Sequence, residues 1–300
     1  MIAERVHQWK AHSAALYALS QGRCESALFS AGADRVVAEW ELGKDEPNAF
    51  AIRVESTIYS LNHLPDGRLV VGCANGSMHV IDVGAKKEIR HLRFHDKGIF
   101  HLQYDEETAR LYAASADGSV SVWNIEDWSL LWHLTMTHQK VRRIAISPNG
   151  ALVAFALGDG RIALLETQSH KVIHEIDAHE ESCNSIAFIN DEVLISGGKD
   201  AFLKTWNIPN GCTANLAIPA HNFAIYDIIV HPEQHWIATA SRDKTVKLWD
   251  MKLEEKPLRL DRSSSGGHIN SVNGLFYQPA SDILYSCSDD RSICAWRIKS

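Results

Sequence analysis

An Asp or Asn returns seven times along the 300 residues, at Asp34, Asn75, Asp117, Asp159, Asp200, Asp243 and Asp290, with successive gaps of 41, 42, 42, 41, 43 and 47. Six positions after each stands a large apolar residue: Trp40, Ile81, Trp123, Leu165, Trp206, Trp249 or Trp296. A His precedes most of these acids by about 22 residues. A fixed internal offset repeated seven times means seven copies of one supersecondary unit, each too small to bury its own apolar face alone.

Each unit reads as strands. Val246-Lys247-Leu248-Trp249 alternates apolar and polar, the period of a half-buried strand. Leu64-Pro65-Asp66-Gly67 and Ser147-Pro148-Asn149-Gly150 carry turn chemistry between apolar runs. No sustained helical stripe appears. Four short strands in roughly 42 residues make a propeller blade. The expected fold is all-β: a closed seven-bladed β-propeller of four-stranded antiparallel blades, with approximate repeats 10–47, 48–87, 88–128, 129–170, 171–211, 212–256 and 257–300. The chain stops soon after Trp296, leaving no outer strand for blade 7. Residues 4–9, on the strand Arg5 to Trp9, are placed there, which closes the ring and removes open sheet edges.

The stretch Ile237-Ala-Thr-Ala-Ser-Arg-Asp-Lys-Thr-Val-Lys-Leu-Trp-Asp250 resembles a WD-repeat signature, and Trp123-Asn124, Trp206-Asn207 and Ile81-Asp82 are near variants of its closing pair. The resemblance covers essentially the whole chain. It implies a hydrogen-bonded Asp–His–Ser/Thr–Trp network that clamps a blade's loops to its strands. Here that assigns His12, Ser30, Asp34 and Trp40 to blade 1, and His179, Ser196, Asp200 and Trp206 to blade 5. Blade 6 has His221, Thr239, Asp243 and Trp249; blade 7 has His268, Ser286, Asp290 and Trp296. Ser241 and Ser288 compete for the hydroxyl position. Blade 2 departs, with Val54 near the His slot, Asn75 and Ile81. Blade 4 departs through Leu165 and is read as keeping His138 and Asp159.

Ser, His and Asp are also the residue types of a hydrolase triad. An active site is needed once and a clamp in every blade, so the repetition argues for structure. The His pairs 91/95 and 170/174 have helical ligand spacing, but they fall on or beside strands and no Cys or carboxylate motif joins them. No metal site and no cofactor is expected, and no phosphate-binding loop is present. Six cysteines without C-x-x-C spacing read as reduced thiols in a cytoplasmic protein, with Cys287 and Cys294 the pair that could face each other. The start of the chain lacks a signal-peptide core, and the longest apolar run, Ala151 to Leu157, is far too short to span a membrane. A net charge of −7 disfavours nucleic acid.

The resemblance implies that the face carrying the His loops and Asp turns receives partners. Where each inner strand begins, the register gives Tyr17, Tyr59, Phe100, Arg142, Asn184, Tyr226 and Asn273. Just before each turn acid stand Ala33, Ala74, Ala116, Gly158, Lys199, Arg242 and Asp289. Tyr, Trp and Arg are enriched at binding hot spots. The candidate partner-binding residues are therefore Tyr17, Tyr59, Phe100, Arg142, Tyr226, Lys199, Arg242 and Asp289, with an aromatic half over blades 1–3 and a basic half holding Arg142, Lys199 and Arg242. A plug of the channel end is the bland reading of the rings. The expected function is a non-catalytic, monomeric scaffold that docks a peptide or loop with an aromatic or apolar anchor and acidic residues. The alternatives are an enzyme at the channel mouth, and a homo-oligomer paired through an outer stripe of Trp128, Trp132, Leu130 and Leu134. Ser263 to Gly267 reads as a flexible loop beside blade 7.

Overall fold

The computed structural model of the protein describes residues 1–233 and 235–299. They form seven four-stranded antiparallel sheets around a central channel. In blade 3, for example, the order from channel to rim is Ile99–Asp105, Arg110–Ser115, Ser119–Asn124 and Leu130–Thr135. Burial follows that order. The second strands Ala27–Gly32 and Ile283–Ser288 are buried at every residue, while the rim strand of blade 3 is exposed at all but one. Second strands are covered on both faces by neighbouring blades, which explains their Ala, Ser and Gly content beside β-branched residues.

The core is a set of layers between blades. Tyr112, Val120 and Val122 of blade 3 pack with Ile144, Val153 and Phe155 of blade 4. The ring is shut by Ile2–Lys10, which pairs antiparallel with Ser292–Lys299 from Ile2↔Lys299 to Lys10↔Ser292. The closing strand is thus longer than Arg5 to Trp9. Repeat and blade are offset by one strand: Ala51–Arg53 lies in the second sequence repeat yet forms the rim of blade 1.

The turn after each clamp acid needs positive φ. Blades 2, 3 and 4 use Gly76, Gly118 and Gly160 (φ 84°, 89° and 94°). A Cβ there would lie 2.0–2.2 Å from the carbonyl oxygens of His95, Thr137 and His179, so no larger residue fits.

Three expectations need correcting. Trp128 is buried between blades 2 and 3 under the Arg68 guanidinium, 5.2 Å from the ring, because the left-handed turn at Trp128 (φ 63°) points its side chain inward. Residues Arg262–Ser265 form one helical turn rather than a loose loop. Asp261 caps it by accepting from Ser264 N at 2.8 Å, and Arg5 donates to the carbonyl of Gly266. Cys287 and Cys294 are free thiols on opposite faces of blade 7: Cys287 pairs with Ile293 and Ser286 with Cys294, so the pleat turns the two sulfurs apart.

Candidate functional site

The clamps hold the loops of one face, here called the upper face. In blades 1, 5, 6 and 7 the structure brings together the His, Asp, Ser or Thr and Trp named above. Trp Nε1 donates to the hydroxyl oxygen at 2.8–3.0 Å. The hydroxyl lies 2.7–2.9 Å from His Nε2, and His Nδ1 lies 2.8–3.1 Å from the carboxylate. A hydroxyl that accepts from Trp donates to Nε2, which leaves the proton on Nδ1 for the acid. Each chain of bonds therefore runs in one direction and, in blades 1, 5 and 6, suits a neutral imidazole; in blade 7 burial lowers the His268 pKa, but its bonds to Asp290 and Cys294 outweigh that and raise it to about 9. Burial lowers the pKa of His12, His179 and His221 and outweighs the raising effect of their Asp partners. Burial alone would raise Asp243 and Asp290, but hydrogen bonds from His221 and His268, from Thr245 and Ser292, and from backbone amides hold them well below the usual carboxylate range.

Ser241 and Ser288 do not enter the clamps. They donate to the carbonyls of Phe223 and Asn270 and accept from the amides of Asp243 and Asp290. Blade 3 holds a fifth complete clamp, of His95, Asp117, Ser121 and Trp123. Its hydroxyl comes from the third strand. Ala113 takes the usual second-strand place, and Ala113 and Ser121 are direct cross-strand partners. Blade 1 has the reverse pair, Ser30 opposite Ala38. In blade 4 the His slot, four residues before the inner strand, holds Thr137 and not His138. Thr137 Oγ1 donates to Asp159 Oδ2 at 2.7 Å, and Phe155, Ala163 and Leu165 fill the space below without a hydroxyl or an indole.

The channel is a cavity of about 780 Å³ lined by Tyr17, Tyr59, Phe100, Arg142, Tyr226 and Asp289 among others. The rings make a continuous run at its upper mouth. Tyr17 meets Tyr59 edge-on at 5.5 Å, and Tyr59 stacks on Phe100 at 5.1 Å. Two cations cover Phe100: Arg142 at 5.0 Å and Lys140 at 5.4 Å. Burial lowers the Arg142 and Lys140 pKa values, and Arg142 and Lys97 add to the effect on Lys140. Arg142 Nε is buried and has no hydrogen-bond partner among the described residues.

The division into aromatic and basic halves is therefore redrawn. Arg142 belongs to the aromatic run, since it reaches the ring of the preceding blade. Lys199 is ion-paired to Glu181, and Arg242 lies 5.8 Å over Phe223. Phe223 and Ile269 are 56% and 47% exposed in clamp loops of the same face, positions that carry no repeat signal. Asp289 accepts from Asn273 Nδ2 at 2.7 Å and stands on the opposite side of the mouth from Arg142.

At the mouth and below it, side chains lace adjacent inner strands. Ser20 accepts from the amide of His63, Ser60 donates to the carbonyl of Ile99, and His101 Nδ1 accepts from the amide of Ile144. Asn184 donates to Ile225 O, Asp227 accepts from the amide of Leu275, and Asn273 donates to Leu16 O. Arg143 passes over blade 5 to pair with Asp227 at 2.8 Å. Burial raises the pKa of Asp227 even though Arg143 and two amides oppose it, and burial beside Arg143 keeps His101 neutral. Sequence reasoning missed these links because most join residues about one repeat apart and they use different side chains in different blades.

Donor atoms for a metal converge on the flank of blade 2, where those of Glu55, His79 and His91 lie within 4.8 Å of one another. His95 is committed to its clamp. His170 stacks on Trp132 at 4.5 Å, and neither nominal His pair converges.

The fold and the five clamps define a seven-bladed ring with a clamped upper face. Comparison with known proteins agrees. The sequence model of the WD domain, G-beta repeat, matches residues 86–124, 212–250 and 261–297, and that of the anaphase-promoting complex subunit 4 WD40 domain matches residues 109–191. The chain belongs to the WD-repeat family. It is 23% identical over 232 residues to nuclear distribution protein PAC1 of Yarrowia lipolytica, covering 73% of this chain and 51% of that protein. It is 23% identical over 271 residues to human striatin-4, covering 82% and 36%. It is 24% identical over 226 residues to transcription factor unc-37 of Caenorhabditis elegans, covering 75% and 36%. The chain thus spans about half or less of the length of these relatives. No described helix is long and apolar enough to cross a membrane.

Proposed function

We propose that this ring is a non-catalytic docking platform whose upper channel mouth takes a peptide or loop of another protein, with an acidic side chain beside an apolar or aromatic one. Arg142 carries the reading. Its side chain is half-buried, lacks a partner at the buried Nε, and is ion-paired to no carboxylate among the described residues. Only the Phe100 face offsets the hydration this cation has lost, and a carboxylate delivered by a ligand would be a stronger partner. Tyr17, Tyr59 and Phe100 supply a ring-lined bed next to it, with Tyr226 beyond. Asp289 on the far side orients the ligand by repelling its acidic end, while Arg242 at the rim favours the approach of an acidic segment.

The non-catalytic part rests on how the polar groups are used. The clamp residues recur in five blades, and His101, Arg143 and Asp227 are committed to holding inner strands together. Five buried, free thiols fit a reducing compartment such as the cytoplasm. The net charge of −7 leaves nucleic acid disfavoured. The closed ring is read as a monomer. One observation favours a second reading, self-association. Leu130, Leu131, Leu134, Val172 and Ile173 are 37–47% exposed on the neighbouring rim strands of blades 3 and 4. Light scattering on the purified chain separates the two, with the monomer mass expected.

Selection of a random peptide library on the wild-type ring tests the docking site. The reading expects a consensus with Asp or Glu next to an apolar residue. It expects Arg142→Gln, and separately Tyr59→Ala with Phe100→Ala, to weaken the selected peptides at least ten-fold. Peptides bound equally by wild type and variants would move the site elsewhere.

A further inference from the structure

Blade 2 breaks the repeat at several places, and the replacements meet. Val54 fills the His slot, Asn75 replaces the acid, Ile81 replaces Trp, and His79 stands on the third strand opposite Val71, where other blades place a clamp hydroxyl or its cross-strand partner. The rim strand sets His91 directly opposite His79, and the two rings stack at 4.4 Å with 22° between their planes. Glu55, just after Val54, brings its carboxylate to 3.4 Å from His79 Nε2 and 3.5 Å from His91 Nε2.

The three donor atoms lie within 4.8 Å of one another, close enough for one metal ion once the exposed His91 ring turns out of its stack so that both Nε2 lone pairs converge. Nitrogen and oxygen ligands bonded to tetrahedral zinc at about 2.0–2.2 Å stand about 3.4 Å from one another. The outer contacts fit as well. His79 is buried, and its Nδ1 lies 2.9 Å from the Glu88 carboxylate. That bond keeps the proton on Nδ1 and aims the Nε2 lone pair at Glu55, as carboxylates behind metal-bound imidazoles do. Asn75 Nδ2 lies 3.4 Å from Glu55 Oε1 and Ser77 Oγ 3.2 Å from His79 Nε2, polar neighbours that steady the cluster. Arg93 approaches Glu55 at 3.7 Å and His91 Nε2 at 3.4 Å, but its side chain is 73% exposed and free to swing into water as a cation enters.

We propose that Glu55, His79 and His91 bind one zinc ion, with Glu88 orienting His79 from behind and the fourth position open to water or to a side chain of a bound partner. Two imidazoles and a carboxylate are a donor set suited to zinc. The ion would tie the entry loop of blade 2 to its third and rim strands. The hydrogen-bonded clamp in blades 1, 3, 5, 6 and 7 likewise ties the entry loop to the third strand, without reaching the rim strand. The sequence hides it because His79 and His91 are twelve positions apart, opposite one another across a hairpin, and not at helical spacing.

The test is calorimetric titration of the chelator-treated full chain with zinc chloride at pH 7.5, with cobalt absorption as a second readout. The proposal expects one equivalent bound, a tetrahedral cobalt spectrum and a raised melting temperature. Glu55→Gln and His91→Ala lie on exposed side chains and should melt like the metal-free wild type, yet lose at least a hundred-fold in affinity. Glu88→Gln should lose about ten- to a hundred-fold, and His235→Ala, in blade 6, should lose nothing. No saturable binding, or equal affinity in wild type, Glu55→Gln and His91→Ala, would overturn the assignment.

Discussion

Blades 6 and 2 have the same strand order and almost the same length, yet they are held together differently. Blade 6 threads one direction of hydrogen bonding from Trp249 through Thr239 and His221 to Asp243, and Asp243 also accepts from the amides of Asn222 and Thr245. Blade 2 has no such chain: Val54 and Ile81 pack in the core, and its polar groups gather on the outer flank. A blade can therefore stand on packing alone. The clamp adds a fixed loop position on the upper face, and where it is absent the freed positions have taken other chemistry.

The largest contrast should come from removing the turn acid in each blade. Asp243→Ala strands a buried imidazole N–H and two amides, and should cost about 2–3 kcal/mol, or roughly 5 °C of melting temperature. Asn75→Ala in blade 2 should cost under about 1 kcal/mol. Equal losses in denaturant titrations would break the comparison.

Blade 3 sharpens it. Ser121→Ala should cost about 1–2 kcal/mol by leaving His95 and Trp123 without their shared oxygen. Adding Ala113→Ser places a hydroxyl where blades 1 and 7 carry theirs, so the double variant should recover most of the loss. If the double variant melts as low as the single, the cross-strand exchange is not what sets the clamp.

The smallest effect is collective. His12, His95, His179 and His221 have folded pKa values below the ordinary 6.5. As pH falls through about 6.5 the unfolded chain takes up protons before the folded ring does, so stability declines below that pH. Asp243 and Asp290, depressed below their ordinary 3.8, contribute stability that persists until the pH falls below that value. Melting temperature should fall from about pH 6.5 downward, and the share that His268 contributes, with its pKa raised to about 9, should fade as pH rises from about 6.5 through 9. A flat profile to pH 5 would mean the histidines are not held neutral.

The repeated features were legible in the sequence because a position used in seven blades writes itself at a fixed period. The ring, its closing strand and the His, Asp and Trp sites followed from that. The errors fell where one blade differs. His138 lies one residue past a slot that only the start of Val141–Ile146 defines, so Thr137 was overlooked. Ser121 was hidden because its exchange with Ala113 spans two strands rather than one repeat. Trp128 was grouped with an outer apolar stripe, whereas the left-handed turn at this residue points its side chain into the core. Arg142 was grouped with the rim cations, although its guanidinium lies on a ring of the neighbouring blade, a contact that register within a blade does not describe.

What repeats holds the ring, and what does not repeat meets the partner: that claim is tested most directly by measuring peptide affinity and melting temperature side by side in Arg142→Gln and Asp243→Asn. The account predicts that Arg142→Gln binds selected acidic peptides at least ten-fold more weakly while melting as high as wild type or higher, and that Asp243→Asn melts several degrees lower while binding them normally at 10 °C. Normal binding by Arg142→Gln, or a lower melting temperature with binding intact, would contradict it.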